Sequence, residues 1–136
     1  MHGWLNGLEL KALYLDLGSN DLCDPHASPF QIAEQLISLA RFLLCGYKIG
    51  TVVIGQITMR LHEPFVGYNA KVATANAALR QLSAGFPGIT FSTLRGLRNP
   101  YPSRFLPDGI HFNAHGNDKY VQGIRGTFIR VFRGCM

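Results

Sequence analysis

Acidic residues are scarce in this sequence. Eight Asp and Glu stand against thirteen Lys and Arg in 136 residues, giving a net charge of +5. Charged residues of both signs reach only 15%, against about a quarter in an ordinary globular chain, so much of the chain is expected to be buried. Long apolar runs are missing too: no window comes near the roughly 18 uncharged apolar residues that a transmembrane helix needs. Met1 to Leu10 has neither the basic start nor the apolar stretch of a secretory signal, which makes an intracellular location the default. Cysteine is sparse and odd in number: Cys23, Cys45 and Cys135 have no metal-ligand spacing. That argues against a disulfide framework and favours free thiols, with Cys45 buried on a helix. Runs of basic residues are absent as well. The densest stretch holds only Arg95, Arg98 and Arg104, so the positive balance reads as a shortage of acids rather than a basic patch. What the chain does have is apolar material, 47% of it, enough for a core and too much for a disordered segment.

Strand and helix patterns alternate along one domain's worth of chain, with no repeat and no linker. Ala12 to Leu17 is a short apolar run stopped by Gly18, Ser19, Asn20 and Asp21, and reads as a buried strand. Ser28, Pro29 and Gln31 form a capping-box start. Ile32, Ala33, Leu36, Ile37, Ala40, Leu43 and Leu44 then follow at helical spacing, with Gly46 as the stop. Thr51 to Ile54 is a β-branched run suited to a strand covered on both faces. Tyr68, Val72, Ala75, Leu79 and Leu82 mark a second amphipathic helix, and Ile89 to Leu94 a third strand. A loop rich in Pro and Arg spans Gly96 to Asp108. Ala114 to Phe132 reads as a last helix with Val121, Ile124, Phe128 and Val131 on one face, a reading that Gly116, Gly123 and Gly126 weaken. The β-α-β-α-β-α order predicts a mostly parallel sheet with right-handed crossovers. Chemistry in such sheets sits beyond the carboxyl ends of the strands. That edge holds Gly18 to Asp21, Thr58 to Glu63 and Gly96 to His111.

Two constellations fall on it. In Asp108-Gly109-Ile110-His111 a carboxylate three residues ahead of an imidazole can fold back onto Nδ1–H, fix the tautomer and leave Nε2 as a general base. Taken alone this spacing equally suits an Asp near a helix start and a surface His. In Gly18-Ser19-Asn20-Asp21 a side-chain amide can donate to a developing oxyanion, and a glycine gives backbone clearance. Taken alone it equally suits an ordinary strand-exit turn. His62 and His115 lie near the same edge and read as loop-packing or exposed residues. His2, His26 and Trp4 offer nothing beyond composition.

In this order and on these elements, the two blocks resemble the SGNH hydrolases, or GDSL-type esterases. Gly18, Ser19, Asn20 and Asp21 are similar to the family's G-x-N-D block, and Asp108 with His111 to its D-x-x-H block. The stretch from Tyr68 through Asn76 and Leu79 looks like its helix before the last strand. The resemblance runs from Leu13 to Phe132. It implies a three-layer α/β/α, flavodoxin-like fold with a mostly parallel sheet, and hydrolysis of a carboxylic ester through a Ser-His-Asp triad. His111 would be the base, Asp108 its orienter, Asn20 the oxyanion donor, Gly18 the clearance and Asp21 a brace for the loop. No cofactor and no metal are implied, and the substrate would be a small-molecule ester.

The departure from the family is at the nucleophile. Its serine comes from a G-D-S block on a first strand, whereas Met1 to Lys11 contains no serine. Ser19 stands at the variable position of G-x-N-D. Residues 1–136 therefore read as one incomplete domain, with the first strand, helix and second strand lacking and the chain inactive by itself. The Ala12–Leu17 strand would become an apolar edge open to association with another chain, with Leu13, Leu15, Leu36 or Leu43 partly exposed. A non-enzymatic module docking through that edge is the alternative. Nucleic-acid binding ranks last, for want of a basic stripe.

Overall fold

The computed structural model describes residues 9–134; Trp4, His2 and Cys135 lie outside them. Strand β1 (Glu9–Leu15) leads through a one-turn helix, α1 (Ser19–Leu22), into α2 (Pro29–Gly46). Then come β2 (Lys48–Gly55), α3 (Tyr68–Ser83), β3 (Ile89–Ser92) and α4 (Ala114–Gly134). A single 3-10 turn at Pro102–Arg104 interrupts the long loop before α4.

The sheet is parallel, in the order β1-β2-β3. Leu15 pairs with Ile54, and Ile54 with Phe91. Because the sheet grows in one direction, right-handed crossovers place α2 and α3 on the same face. Ser28 caps α2 as its sequence promised: its Oγ accepts from Gln31 N–H at 3.3 Å. The helix buries Ile32, Ala33, Leu36, Ile37, Ala40 and Leu43. These meet Val72, Ala75 and Leu79 of α3 and Val52 and Ile54 of β2 in the main core.

Alternate residues face the other way. Tyr14 lies over Gly55 and meets Phe128 of α4, while Ser92 Oγ and Thr127 Oγ1 share a buried hydrogen bond of 2.7 Å. So α4 covers the second face, completing three layers. Burial, and then the charge of Asp16, pushes the Tyr14 phenol up to about 12. Tyr120 of α4 donates to the Asp16 carboxylate, and burial together with that bond raises its phenol as well.

Several local expectations are corrected. Leu36 and Leu43 are buried, because α3 packs along α2 and shields them; Leu13 and Leu15 are the partly exposed pair. Cys45 is exposed, since it falls on the outer face of the last turn of α2. Gly46 is the last residue of that helix rather than a left-handed stop, and the chain leaves through Tyr47 in extended conformation. Val121 is 62% exposed, because α4 approaches the sheet through a neighbouring stripe. Gly116, Gly123 and Thr127 lie on it, and all face inward or sit close to neighbours. A Cβ on Gly123 would stand 2.7 Å from Leu94. Of the glycines that weaken α4 on propensity, Gly123 thus lets it lie close to Leu94 after β3, and Gly116 lets it lie close to Arg104 and Phe112 of the preceding loop, while Gly126 makes no such contact.

Candidate functional site

The loops that leave β1, β2 and β3 at their carboxyl ends converge on one edge. The first turn begins at Gly18, whose φ of 109° lies in the left-handed region. A Cβ there would sit 2.9 Å from the Ile57 Cδ1 tip, which can shift, so it is the backbone conformation that requires glycine. The space it vacates is filled by the core residues Ile57 and Leu36. Asn20 follows on α1, exposed, with its side chain bonded to none of the described residues. The Asp21 carboxylate makes no hydrogen bond among them either; its main-chain oxygen accepts from Asp24 N–H at 3.4 Å. Ser19 is engaged: its hydroxyl lies 3.0 Å from the Tyr68 hydroxyl and accepts from Arg60 at 3.3 Å.

The block before α4 closes on itself. Asp108 Oδ1 accepts from Ile110 N–H (2.9 Å) and His111 N–H (3.0 Å), and Oδ2 lies 2.7 Å from His111 Nδ1. A carboxylate can only accept, so Nδ1 carries a proton, and in the neutral ring Nε2 is left with its lone pair. The His111 side chain is 74% exposed, and no other described residue bonds its ring. The hydrogen bond to His111, followed by the two main-chain N–H groups, lowers the Asp108 carboxyl to about 2. Gly109, at φ 69°, allows the tight return, and a side chain there would run into the His62 ring.

The loop after β2 ties these two blocks together, and two residues of it do so. Arg60 reaches Ser19, beside Asn20. His62 Nδ1 donates to the Asp108 main-chain oxygen at 2.8 Å, and His62 N–H to Gly109 O at 2.9 Å. The loop itself is stapled from α3. Asn76 takes both polar groups of Ile57, Oδ1 from N–H at 2.8 Å and Nδ2 to O at 2.9 Å. Asn69, two helical turns earlier, does the same to Arg60 at 2.9 and 2.7 Å. Gln56, buried, holds the third loop through Leu94 N–H (2.6 Å) and Leu97 O (3.1 Å). Sequence reasoning named His62 only as a loop residue and missed Arg60 and Gln56. The i, i+7 spacing of Asn69 and Asn76 on a helix flanking a site loop was the available signal. His115 is exposed on the first turn of α4, and His26 is exposed on the loop before α2.

Chemically the edge offers an oriented imidazole whose Nε2 no described residue bonds, a carboxylate that holds its Nδ1–H, and an exposed amide across a pinned loop. Among the described residues no group of three His, Cys, Asp or Glu is placed to hold a metal ion.

No family model matches this sequence, and no curated protein does. Solved structures do. A candidate platelet activating factor from Streptococcus pneumoniae superposes with a TM-score of 0.72 at 13% identity, over 86% of this chain and 59% of that one. A candidate acylhydrolase from Bacteroides fragilis gives 0.70 at 15% identity, over 88% and 61%. A GDSL-like lipase from Bacteroides thetaiotaomicron gives 0.69 at 16% identity, over 86% and 61%. The fold is thus the mixed α/β fold seen in these GDSL-like lipase and acylhydrolase structures. The chain spans about 60% of the length of the solved structures it matches.

Proposed function

We propose that this chain carries the acid–base part of an SGNH-type ester-hydrolase site. His111 would be the general base, Asp108 its orienter and Asn20 a side-chain donor to the oxyanion, with Gly18 shaping the turn. The observation that carries the reading is the 2.7 Å contact between Asp108 Oδ2 and His111 Nδ1 at the sheet's carboxyl edge, with Nε2 free. On this reading the 136 residues do not hydrolyse esters by themselves. Acyl transfer by this route needs a serine Oγ within hydrogen-bond reach of Nε2, and none of the described residues bonds that nitrogen. The substrate class is a small carboxylic ester.

The test is turnover of p-nitrophenyl acetate by the chain and by His111→Ala. Both are expected at buffer background; turnover lost in the variant would contradict inactivity. A chain extended upstream in the same reading frame and carrying a Gly-Asp-Ser block is expected to be active. It should lose on the order of a thousandfold or more with His111→Ala. A folded, extended chain indifferent to that substitution would overturn the site assignment.

A second, non-enzymatic reading rests on β1. Among the described strands it pairs only with β2, and Val121 and Phe132 of α4 are exposed on the side where Phe128 meets Tyr14. We propose a second copy of this chain as the occupant of that open edge.

A further inference from the structure

We propose that the open side of β3 is a groove for the phosphate backbone of a single-stranded nucleic acid. Like β1, β3 pairs only with β2 among the described strands. Four hollows follow its outer side, the largest about 490 Å³. They adjoin one another, each sharing wall residues with the next. Arg95 and Gly96 join the first to the second, Arg98 the second to the third, Arg80 and Phe91 the third to the fourth, and Arg130 the fourth to the first. Five cations line this track: Arg80, Arg95, Arg98, Lys119 and Arg130. No Asp or Glu lines any part of it. The ion pairs among the described residues, Lys48 with Glu9 and His111 with Asp108, lie elsewhere, so none of the five pairs with a carboxylate of a described residue.

The fold assembles what the sequence disperses. Arg80 comes from the last turn of α3, Arg95 and Arg98 from the loop after β3, and Lys119 and Arg130 from α4. Lys119, Gln122, Gly126 and Arg130 follow the i, i+3, i+7, i+11 spacing of one helix face, and all four line the first hollow. Three guanidinium groups are already held in place. Arg98 donates to Thr93 Oγ1 at 3.4 Å, Arg130 donates to Thr127 Oγ1 at 3.2 Å, and Arg80 lies 5.3 Å over the Phe91 ring.

The chemistry selects the ligand. Four of the five cations are arginines, whose planar forks match phosphate oxygens. The cations line the walls of adjoining hollows beside one strand, and such a concave basic surface suits a flexible polyanion better than the flat face of a membrane. Tyr101, 45% exposed on the wall of the second hollow, offers a ring on which a base can stack. The net charge of +5 adds long-range attraction for such a ligand. None of His62, Asp108 and His111 lines the track, so this inference stands apart from the hydrolase reading.

The test is fluorescence anisotropy with a labelled oligothymidylate at increasing NaCl, on the whole chain. If three to five phosphates are engaged, log K against log salt should fall with a slope of about −2 to −3.5. The double substitution Arg95→Gln with Arg98→Gln should weaken binding roughly tenfold or more at low salt and flatten the slope by about 1.4. Lys11→Gln with Lys48→Gln removes the same charge from the β1 side and should change affinity less than about twofold. Should the arginine pair fail to fold by circular dichroism, Arg130→Gln and the wild-type slope decide. No binding at low salt, equal losses in the groove and control variants, or capture by phosphatidylserine vesicles that the oligonucleotide cannot displace would each overturn the proposal.

Discussion

The main-chain oxygen of Asp108 accepts from His62 Nδ1 at 2.8 Å, while the carboxylate of the same residue takes His111 Nδ1 at 2.7 Å. One aspartate thus fixes two imidazoles, one from the loop after β2 and one from the loop before α4. Both acceptors lack a proton to give, so both rings must carry hydrogen on Nδ1. Long-range ¹⁵N–¹H correlation spectra are expected to show the Nδ1–H tautomer for both histidines in their neutral form. An Nε2–H tautomer at His111 would remove the general base from the proposed site.

The acid titration of Asp108 follows from the same contact. Its carboxyl is held at about 2 against an ordinary 3.8, first by His111 and then by the two main-chain N–H groups. The folded value lies below the unfolded one. The contribution to stability is therefore fully present above about 3.8 and disappears as the pH falls through about 2. With His111→Ala the midpoint, followed by the ¹³C resonance of the carboxyl, is expected to move up toward the ordinary value. An unchanged midpoint would mean that the main-chain bonds alone hold it.

Asn76→Ala removes the partner of both Ile57 N–H and Ile57 O, which are part-buried. We expect a loss of about 2 kcal/mol, measured by urea unfolding. Asn76→Asp keeps the acceptor and loses the donor, and should fall between the two. A loss below about 0.5 kcal/mol in the alanine variant, the range of neutral surface changes, would show that water replaces the staple at no cost.

The open edge of β1 predicts weak self-association. Sedimentation velocity should show a concentration-dependent dimer in the micromolar range. Val121→Lys should shift it toward monomer and improve solubility, since charge beside an edge opposes strand addition. A monomer at every concentration would remove the second reading.

Much of this was legible in the residues. Ser28, Pro29 and Gln31 announced α2, and the β-branched run Thr51 to Ile54 announced the central strand, because both are local effects. The spacing of Asp108 and His111 sufficed to place their side chains in reach. What escaped was set by tertiary contact. Val121 fits a helical stripe as well as Thr127 does, and only the approach of α4 through Gly116 and Gly123 decides between them. Cys45 sits where α2 turns its last residues outward. The arginines looked scattered because proximity across three elements leaves no trace in sequence order. Arg60 and Gln56 carry no motif; their roles exist only through Ser19, Leu94 and Leu97.

The pairs of amide clamps from Asn69 and Asn76 divide the carboxyl edge into unequal halves. The loop after β2 is riveted to a helix, so a substitution there is felt in the core. The loop from Arg95 to Pro107 is gripped mainly at its start by Gln56 and near its end by Asn113. Between those grips its side chains are mostly exposed. Inherited variation, or a laboratory library, can therefore be concentrated in that second loop, retuning what the edge and the adjoining groove recognise while the imidazoles keep their alignment.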